Sequence, residues 1–354
     1  MPGGTTLVIP TFDRPADLER CLRSIAGLRR GFDQIVIVDQ GDSRATERAV
    51  ENAGDGCGPN VAIVPFEVRS AAAARNAGIE EATGEFVFFI DDDVELDEGY
   101  VETALDCFER RREVVAITGY IDETRARPRW WRVVKRLLGA LLLVAPLGPG
   151  ISRSGGAAPP VFRTPKPWFP DTQFLPGGHF ACRRKVFDEG FRFNSGFVLG
   201  SFGEDRMFSR QVHRHYGPAS FAFVPGFSLR HHASPKRSPT GETAVRMHVI
   251  YRFIFWRREV YGGSALNAWC YLYAQFGFLL FLLKRFRRTP LRAARAALLS
   301  YRYLLAHHRE LADDRIDYNR FVVEGPGGRE KAASPRTAAA SSAPRRRTPA
   351  GGST

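Results

Sequence analysis

The chain reads as an α/β protein: a Rossmann-like, mixed but mainly parallel sheet flanked by helices, followed by a helical C-terminal extension. Three observations predict this. Through residue 121, short and continuously apolar runs alternate with amphipathic runs of helical period, as expected for strands buried on both faces. Pro10-Thr11, Asp39 and Asp91-Asp92-Asp93 fall at the carboxyl ends of those runs, where open α/β sheets bind ligands. Residues 244–311 then carry an almost unbroken helical pattern.

Taken in order, strands are expected over 5–10, 34–39, 61–66, 85–91 and 114–121, with helices over 16–28, 44–53, 71–82 and 98–111 between them. Residues 122–176 lose the rhythm. They are rich in Arg, Trp and Pro, hold an apolar block at 137–147 and a Gly/Pro/Ser stretch at 148–167, and suggest an insertion or flap with a surface-seeking helix. An α/β pattern resumes at 177, with a helix around 181–188, a Gly-punctuated loop at 190–203, a helix over 204–215 and a strand over 221–224. Residues 325–354 are Gly/Pro/Ala/Ser/Arg low complexity that cannot form a core, so disorder is expected there. The divisions are therefore 1–121, 122–176, 177–243, 244–324 and 325–354.

At 354 residues, 44% hydrophobic and 25% charged, the composition is ordinary for a globular protein. The net charge of +13 is not, and basic clusters at 125–136, 284–288 and 345–347 favour an anionic partner. Those clusters adjoin apolar blocks, which suits an anionic membrane surface and argues against nucleic acid, whose binding surfaces interleave aromatics with exposed cations. Residues 265–283 run without a charge and end at Lys284-Arg285; they predict an interfacial helix, with a membrane span or a core helix as the other readings. Five scattered cysteines without metal-ligand spacing suggest a reduced compartment and no zinc site. The N-terminus lacks a signal-peptide pattern, so a cytoplasmic location at the inner face of the cell membrane is expected.

Three adjacent carboxylates at the end of the buried run Phe86-Val87-Phe88-Phe89-Ile90 repel one another unless compensated. A hard cation such as Mg²⁺ or Mn²⁺ would compensate them, and such ions are commonly held by one or two carboxylates plus substrate phosphates. The other reading is an acidic cap on the helix that follows. Asp39 is either an acceptor for a nucleobase or ribose, or a turn former before Gly41. Arg75, within Ala74-Arg75-Asn76-Ala77-Gly78, is either a phosphate ligand or a solvated helix residue. Glu204-Asp205 is either a helix cap or, beside a diphosphate, a source of general base. Of His231 and His232, at most one can face a metal, because successive strand side chains point opposite ways.

In order and spacing, these motifs resemble the family-2 glycosyltransferases of GT-A fold. The matching residues are Val8-Ile9-Pro10-Thr11-Phe12-Asp13-Arg14-Pro15, Ile37-Val38-Asp39, Ala74-Arg75-Asn76-Ala77-Gly78, Asp91-Asp92-Asp93, Gly177-Gly178, Glu204-Asp205 and the segment from Val224-Pro225 to His231, covering roughly residues 4–235. The resemblance implies that Pro10, Thr11, Arg14 and Asp39 hold the nucleoside, with Arg75 and Asn76 near the diphosphate or sugar. It places Asp91 toward ribose and sugar and Asp93 on the metal, with Asp91 and His231 as further ligand candidates and Asp92 as the middle member. Asp205, with Glu204 beside it, maps to the catalytic base. Gln40 and Asp42 replace the usual acidic and serine residues after Asp39, and Met207 replaces an acidic residue, which leaves base identity and acceptor geometry open.

The function expected is a metal-dependent, inverting transfer of a sugar from a nucleoside-diphosphate sugar to a hydroxyl of a lipid-linked or polysaccharide acceptor, in cell-envelope synthesis. The rival readings are a sugar nucleotidyltransferase, disfavoured because no glycine-rich phosphate loop follows the first strand, and a non-catalytic sugar-nucleotide-binding scaffold at the membrane.

Overall fold

The computed structural model describes residues 3–54, 56, 60–123, 129–148, 150–158, 169–170, 172–198, 203–232, 240–286 and 288–326. The low-complexity tail from 327, residues 159–167 and the loop 199–202 before Glu204 lie outside the described residues.

The first half alternates as expected: β1 (Thr5–Thr11), α1 (Pro15–Ala26), β2 (Gln34–Asp39), α2 (Ser43–Ala53), β3 (Val61–Pro65), α3 (Ala71–Glu81) and β4 (Phe86–Ile90). These four strands pair in parallel in the order β3-β2-β1-β4. Their continuous apolar runs have a plain cause, since β1, β2 and β4 are buried along their whole length. Alternate residues serve two cores: Leu7, Ile9 and Phe88 meet Leu18, Leu22 and Phe108 on one face, while Val8 and Phe89 meet Ile79, Phe187 and Phe208 on the other.

The second half departs from expectation at three places. Directly after the aspartates comes a short strand, β5 (Val94–Leu96), and α4 (Tyr100–Arg110) begins only at Tyr100. Asp91–Asp93 therefore cap no helix. After β6 (Ala116–Glu123), α5 (Arg129–Leu141) and the short β7 (Gly150–Ile151), β8 (Ala157–Ala158) and β9 (Phe169–Pro170), the segment expected as one helix around 181–188 is a strand, β10 (His179–Arg183), followed by one turn of helix, α6 (Lys185–Asp188). β10 sits in mid-sheet, antiparallel to both β4 and β6, so neither face leaves a polar period in the sequence. Beyond α7 (Glu204–Tyr216), the strand expected over 221–224 continues through a bulge between Val224 and Leu229 as β11 (Phe221–His231). The full order is β3-β2-β1-β4-β10-β6-β11-β5, with β9 also on β11.

The C-terminal helices are α8 (Gly241–Phe255), running into a π-helical turn at Trp256–Val260, then α9 (Ala265–Arg285), α10 (Pro290–Ala312) and α11 (Tyr318–Glu324). They build a third core from Val249, Tyr251, Ile254, Phe278, Ala297 and Val322, joined to Met207 of α7. The described cysteines, Cys21, Cys107, Cys182 and Cys270, are buried, and none of them is in a disulfide.

Candidate active site

The carboxyl ends of β1, β2 and β4 and the far end of β11 converge on one edge of the sheet. Parallel register sets Thr11 opposite Asp39. The Asp39 side chain is buried; Oδ1 accepts the Gly41 N–H at 2.9 Å, and Oδ2 has no partner. A buried carboxylate oxygen without a donor carries a desolvation cost, which a nucleobase N–H or ribose hydroxyl would relieve. Gly41 has a steric reason: a Cβ there would lie 2.4 Å from Asp13 Oδ1 and 2.9 Å from Asp13 N, so only glycine lets the loops after β1 and β2 meet. The departures from family pattern are structural here. Gln40 Oε1 accepts the Ser70 N–H at 2.8 Å, and Asp42 caps α2 by accepting the Arg44 N–H at 3.1 Å. Pro10 lies in the buried β1, paired with Val38.

Two arginines face the three aspartates. Asp92 accepts from Thr11 Oγ1 at 2.9 Å and from Arg14 Nη1 at 3.0 Å; the same Arg14 nitrogen is 3.3 Å from Asp93 Oδ2. The other Asp93 oxygen, Oδ1, faces His231 Nε2 at 3.2 Å. Asp91 turns away to Arg75 Nη2 at 3.3 Å. Repulsion along the run is thus offset by Arg14 and Arg75 without a metal. Burial still pushes the Asp92 carboxyl up to about 6, against the opposing pull of Arg14 and Thr11.

Sequence reasoning left open which histidine turns inward. β11 settles it by alternation: His231 reaches Asp93, while His232 Nε2 lies 3.0 Å from Glu95 and the His232 backbone N–H donates to the Asp93 carbonyl at 2.9 Å. Among the described residues no three His, Cys, Asp or Glu side chains gather around one point, so Asp91 is not part of a preformed ligand set with Asp93 and His231. Asp93 and His231 still fit a hard divalent ion that takes its remaining ligands from substrate phosphates and water.

Arg75 is the residue whose role differs most from expectation. It is buried, and its two terminal nitrogens go to Asp91 and, at 3.0 Å, to Glu204 Oε1, joining the end of β4 to the start of α7. It positions those carboxylates and offers no free fork to a phosphate. Asn76 is likewise engaged: its amide donates to the Phe193 carbonyl at 2.8 Å and accepts the Phe193 N–H at 2.9 Å. Gly177 and Gly178 make room for this arrangement, since a Cβ would sit 2.9 Å from Arg75 Nη1 at the first and 2.3 Å from Asp91 Oδ2 at the second.

Glu204 and Asp205 open α7 in unlike settings. Glu204 is buried, paired with Arg75, and leaves Oε2 without a partner; burial and the neighbouring Asp205 push it up to about 7, opposed by Arg75. Asp205 is less enclosed and accepts the Arg206 N–H at 2.8 Å; its pKa is also raised, by burial, with Arg206 opposing. Arg206 is a site residue that sequence reasoning missed. Its adjacency to the acid pair was the only available signal.

A profile of the family described as glycosyl transferase family 2 matches residues 6–191, more than half of the chain and the part that carries the three aspartates. The chain belongs to glycosyl transferase family 2. Curated relatives of this family-2 protein include a pre-mycofactocin glycosyltransferase of Mycobacterium tuberculosis, 34% identical over 29% of this chain and 20% of that one. Another is a GalNAc(5)-diNAcBac-PP-undecaprenol beta-1,3-glucosyltransferase of Campylobacter jejuni, 30% identical over 28% of this chain and 33% of that one. The matches span a fifth to a third of those relatives' length. In fold the protein is similar to the mannosyltransferase PcManGT of Pyrobaculum calidifontis, solved with GDP-Man and Mn²⁺, at TM-score 0.51 and 16% identity over 88% of this chain and 89% of that one. It is also similar to GalNAc-T7, solved with UDP, GalNAc and Mn²⁺, at TM-score 0.51 and 16% identity over 72% of this chain and 50% of that one. These likenesses give the GT-A glycosyltransferase fold.

Proposed function

We propose that this family-2 glycosyltransferase moves a sugar, with inversion, from a nucleoside-diphosphate donor to a hydroxyl of a lipid-linked or polysaccharide acceptor of the cell envelope. The observation that carries this is the shared edge: the unpartnered Asp39 oxygen, the Asp93–His231 pair and the Glu204-Asp205 acid pair all stand at the ends of strands or helices that meet there. Asp39 and Thr11 hold the nucleoside, while Arg14 steadies Asp92 and Asp93. Asp93 and His231 would hold Mg²⁺ or Mn²⁺, which when bound supplies positive charge to the departing diphosphate. The complexes of PcManGT and GalNAc-T7 with Mn²⁺ support that choice of ion, and the undecaprenol-linked substrate in the Campylobacter relative's name supports the acceptor class.

Asp205 is the base. It takes the proton from the acceptor hydroxyl as that oxygen bonds to the anomeric carbon; the bond to the diphosphate oxygen breaks, and its electron pair leaves on the diphosphate. Single displacement on the face opposite the leaving group inverts the anomeric configuration. Glu204, locked to Arg75, fixes the start of α7 so that the Asp205 carboxylate is held in place.

The test is incubation with a panel of nucleoside-diphosphate sugars, Mn²⁺ and a lipid-linked acceptor fraction, with products identified by mass. Release of a nucleoside diphosphate coupled to glycosylated lipid is expected. In a parallel incubation with nucleoside triphosphates and sugar 1-phosphates, pyrophosphate release would indicate a nucleotidyltransferase, and donor binding without turnover would indicate a scaffold; either result overturns the proposal.

A further inference from the structure

We propose that α5 and α9 together form one face that lies in the plane of an anionic lipid bilayer, docking the protein on the membrane surface without crossing it. This adds a surface to the transferase reading and does not depend on it.

α9 is the one described helix long and apolar enough to cross a membrane. Its two sides differ, however. Cys270, Tyr271, Ala274, Phe278 and Leu282 are buried, and Phe278 and Leu282 belong to the same core as α8 and α10. The buried guanidinium of Arg252 lies 4.8 Å over the Phe278 ring, a charge that a spanning α9 would have to carry into the hydrocarbon. The opposite side exposes Trp269, Leu272 and Phe276 to 59%, 69% and 61%, a stripe at helical spacing. α5 shows a second stripe: Trp130, Leu137 and Leu141 are exposed to 65%, 56% and 68%.

The two helices are neighbours. A Cβ at Gly277 would lie 2.6 Å from Leu142 Cβ and 2.8 Å from Val144 Cγ2, so the turn leaving α5 rests directly on the α9 backbone. Arg153 Nη1 also reaches Asn267 Oδ1 at 3.2 Å. The charge pattern names the occupant. Between Glu123 and Asp171 the sequence holds nine Lys or Arg and no Asp or Glu; between Glu259 and Glu310 it holds eight and none. Two stretches free of carboxylate, remote in sequence, thus supply the apolar face, and among the described residues Lys135, Lys284, Arg288 and Arg292 within them are exposed. That combination matches an acyl boundary beneath anionic headgroups. A second copy of this chain would bring cations against cations.

Both sides of the candidate active site lead to this face. β6 ends at Glu123, paired with His231 beside Asp93, and α5 opens at Arg129. On the other side, α7 is followed in the fold by the π-helical turn, where Gln211 Nε2 donates to Glu259 Oε1 at 2.8 Å and Trp256 stacks on Tyr271 of α9 at 4.2 Å.

The experiment is flotation of the full chain with vesicles of phosphatidylcholine alone or mixed with phosphatidylglycerol, at low and high salt. The wild type is compared with Leu137→Glu/Leu141→Glu on α5 and Leu272→Glu/Phe276→Glu on α9. All four positions are exposed, and unchanged circular-dichroism melting checks the fold. Binding to the mixed vesicles, weakened by salt and lowered about tenfold or more by each pair, is expected. Loss on the α9 pair alone would overturn the shared face, and equal binding to neutral vesicles would overturn the anionic partner. A dimer that both pairs dissociate, with no vesicle binding, would make the face an interface between copies. Release of native protein from membranes only by detergent, and not by carbonate, would make α9 a span.

Discussion

Asp205 and Glu204 are adjacent in sequence and differ in what they touch, and the roles proposed for them follow that difference. Asp205→Asn keeps the shape but cannot take a proton; kcat should fall by about 10²- to 10⁴-fold with donor affinity unchanged, read by steady-state kinetics and titration. Burial raises the pKa of both acids, so turnover should rise with pH as the pair deprotonates. Replacing Glu204 by Gln removes a negative neighbour, and the acid limb of the pH–rate profile should then move to lower pH. An acid limb that stays in place would detach Glu204 from the base. Asp92 makes a separate prediction about stability. Its folded pKa, about 6, lies above its ordinary 3.8, so the folded state holds the proton more tightly. The stabilisation is complete below the ordinary value and is lost as pH rises through about 6. In urea denaturation, Asp92→Asn should therefore gain stability relative to wild type between about pH 4 and about pH 7.

Among the elements, the join between β4 and α7 rests on one side chain. Arg75→Met leaves Glu204 and Asp91 without their cation, and unfolding free energy should fall by about 3 kcal/mol. That is the low end for a broken buried pair, because Asp91 is half-exposed and Glu204 can take up a proton. A urea midpoint equal to wild type would contradict it. At the α5–α9 contact, Gly277→Ala drives a methyl into Leu142 and Val144 and should cost about 1–3 kcal/mol in thermal melting, as overpacking does. The elements read correctly from sequence were those with a period to read: β1 to β4 are continuous apolar runs set off by amphipathic helices. β10 carries no such mark, being covered on both faces and flanked by Arg183-Arg184-Lys185, which read as helical. β5 is three residues long, too short for any period.

For the whole molecule, the donor side of the candidate site was legible because Asp39 and the three aspartates stand at strand ends, a place fixed by local pattern. The partners of those residues were not legible. Arg75 meets Glu204 across 129 positions, and His231 meets Asp93 only because β11 continues past its bulge to pair with β5. Such contacts are made by sheet order, which no window of sequence contains. The apolar runs that become α5 and α9 stood out in the sequence, but the meeting of the two helices was not legible. Central to the proposed function is binding of a nucleotide sugar at this edge through Asp93 and a divalent ion. Isothermal titration of the preferred nucleoside-diphosphate sugar, with and without Mn²⁺, into wild type and Asp93→Ala tests it most directly. Mn²⁺-dependent binding to the wild type and its loss in a folded Asp93→Ala protein are expected; equal, metal-independent affinity in both would contradict the proposed site.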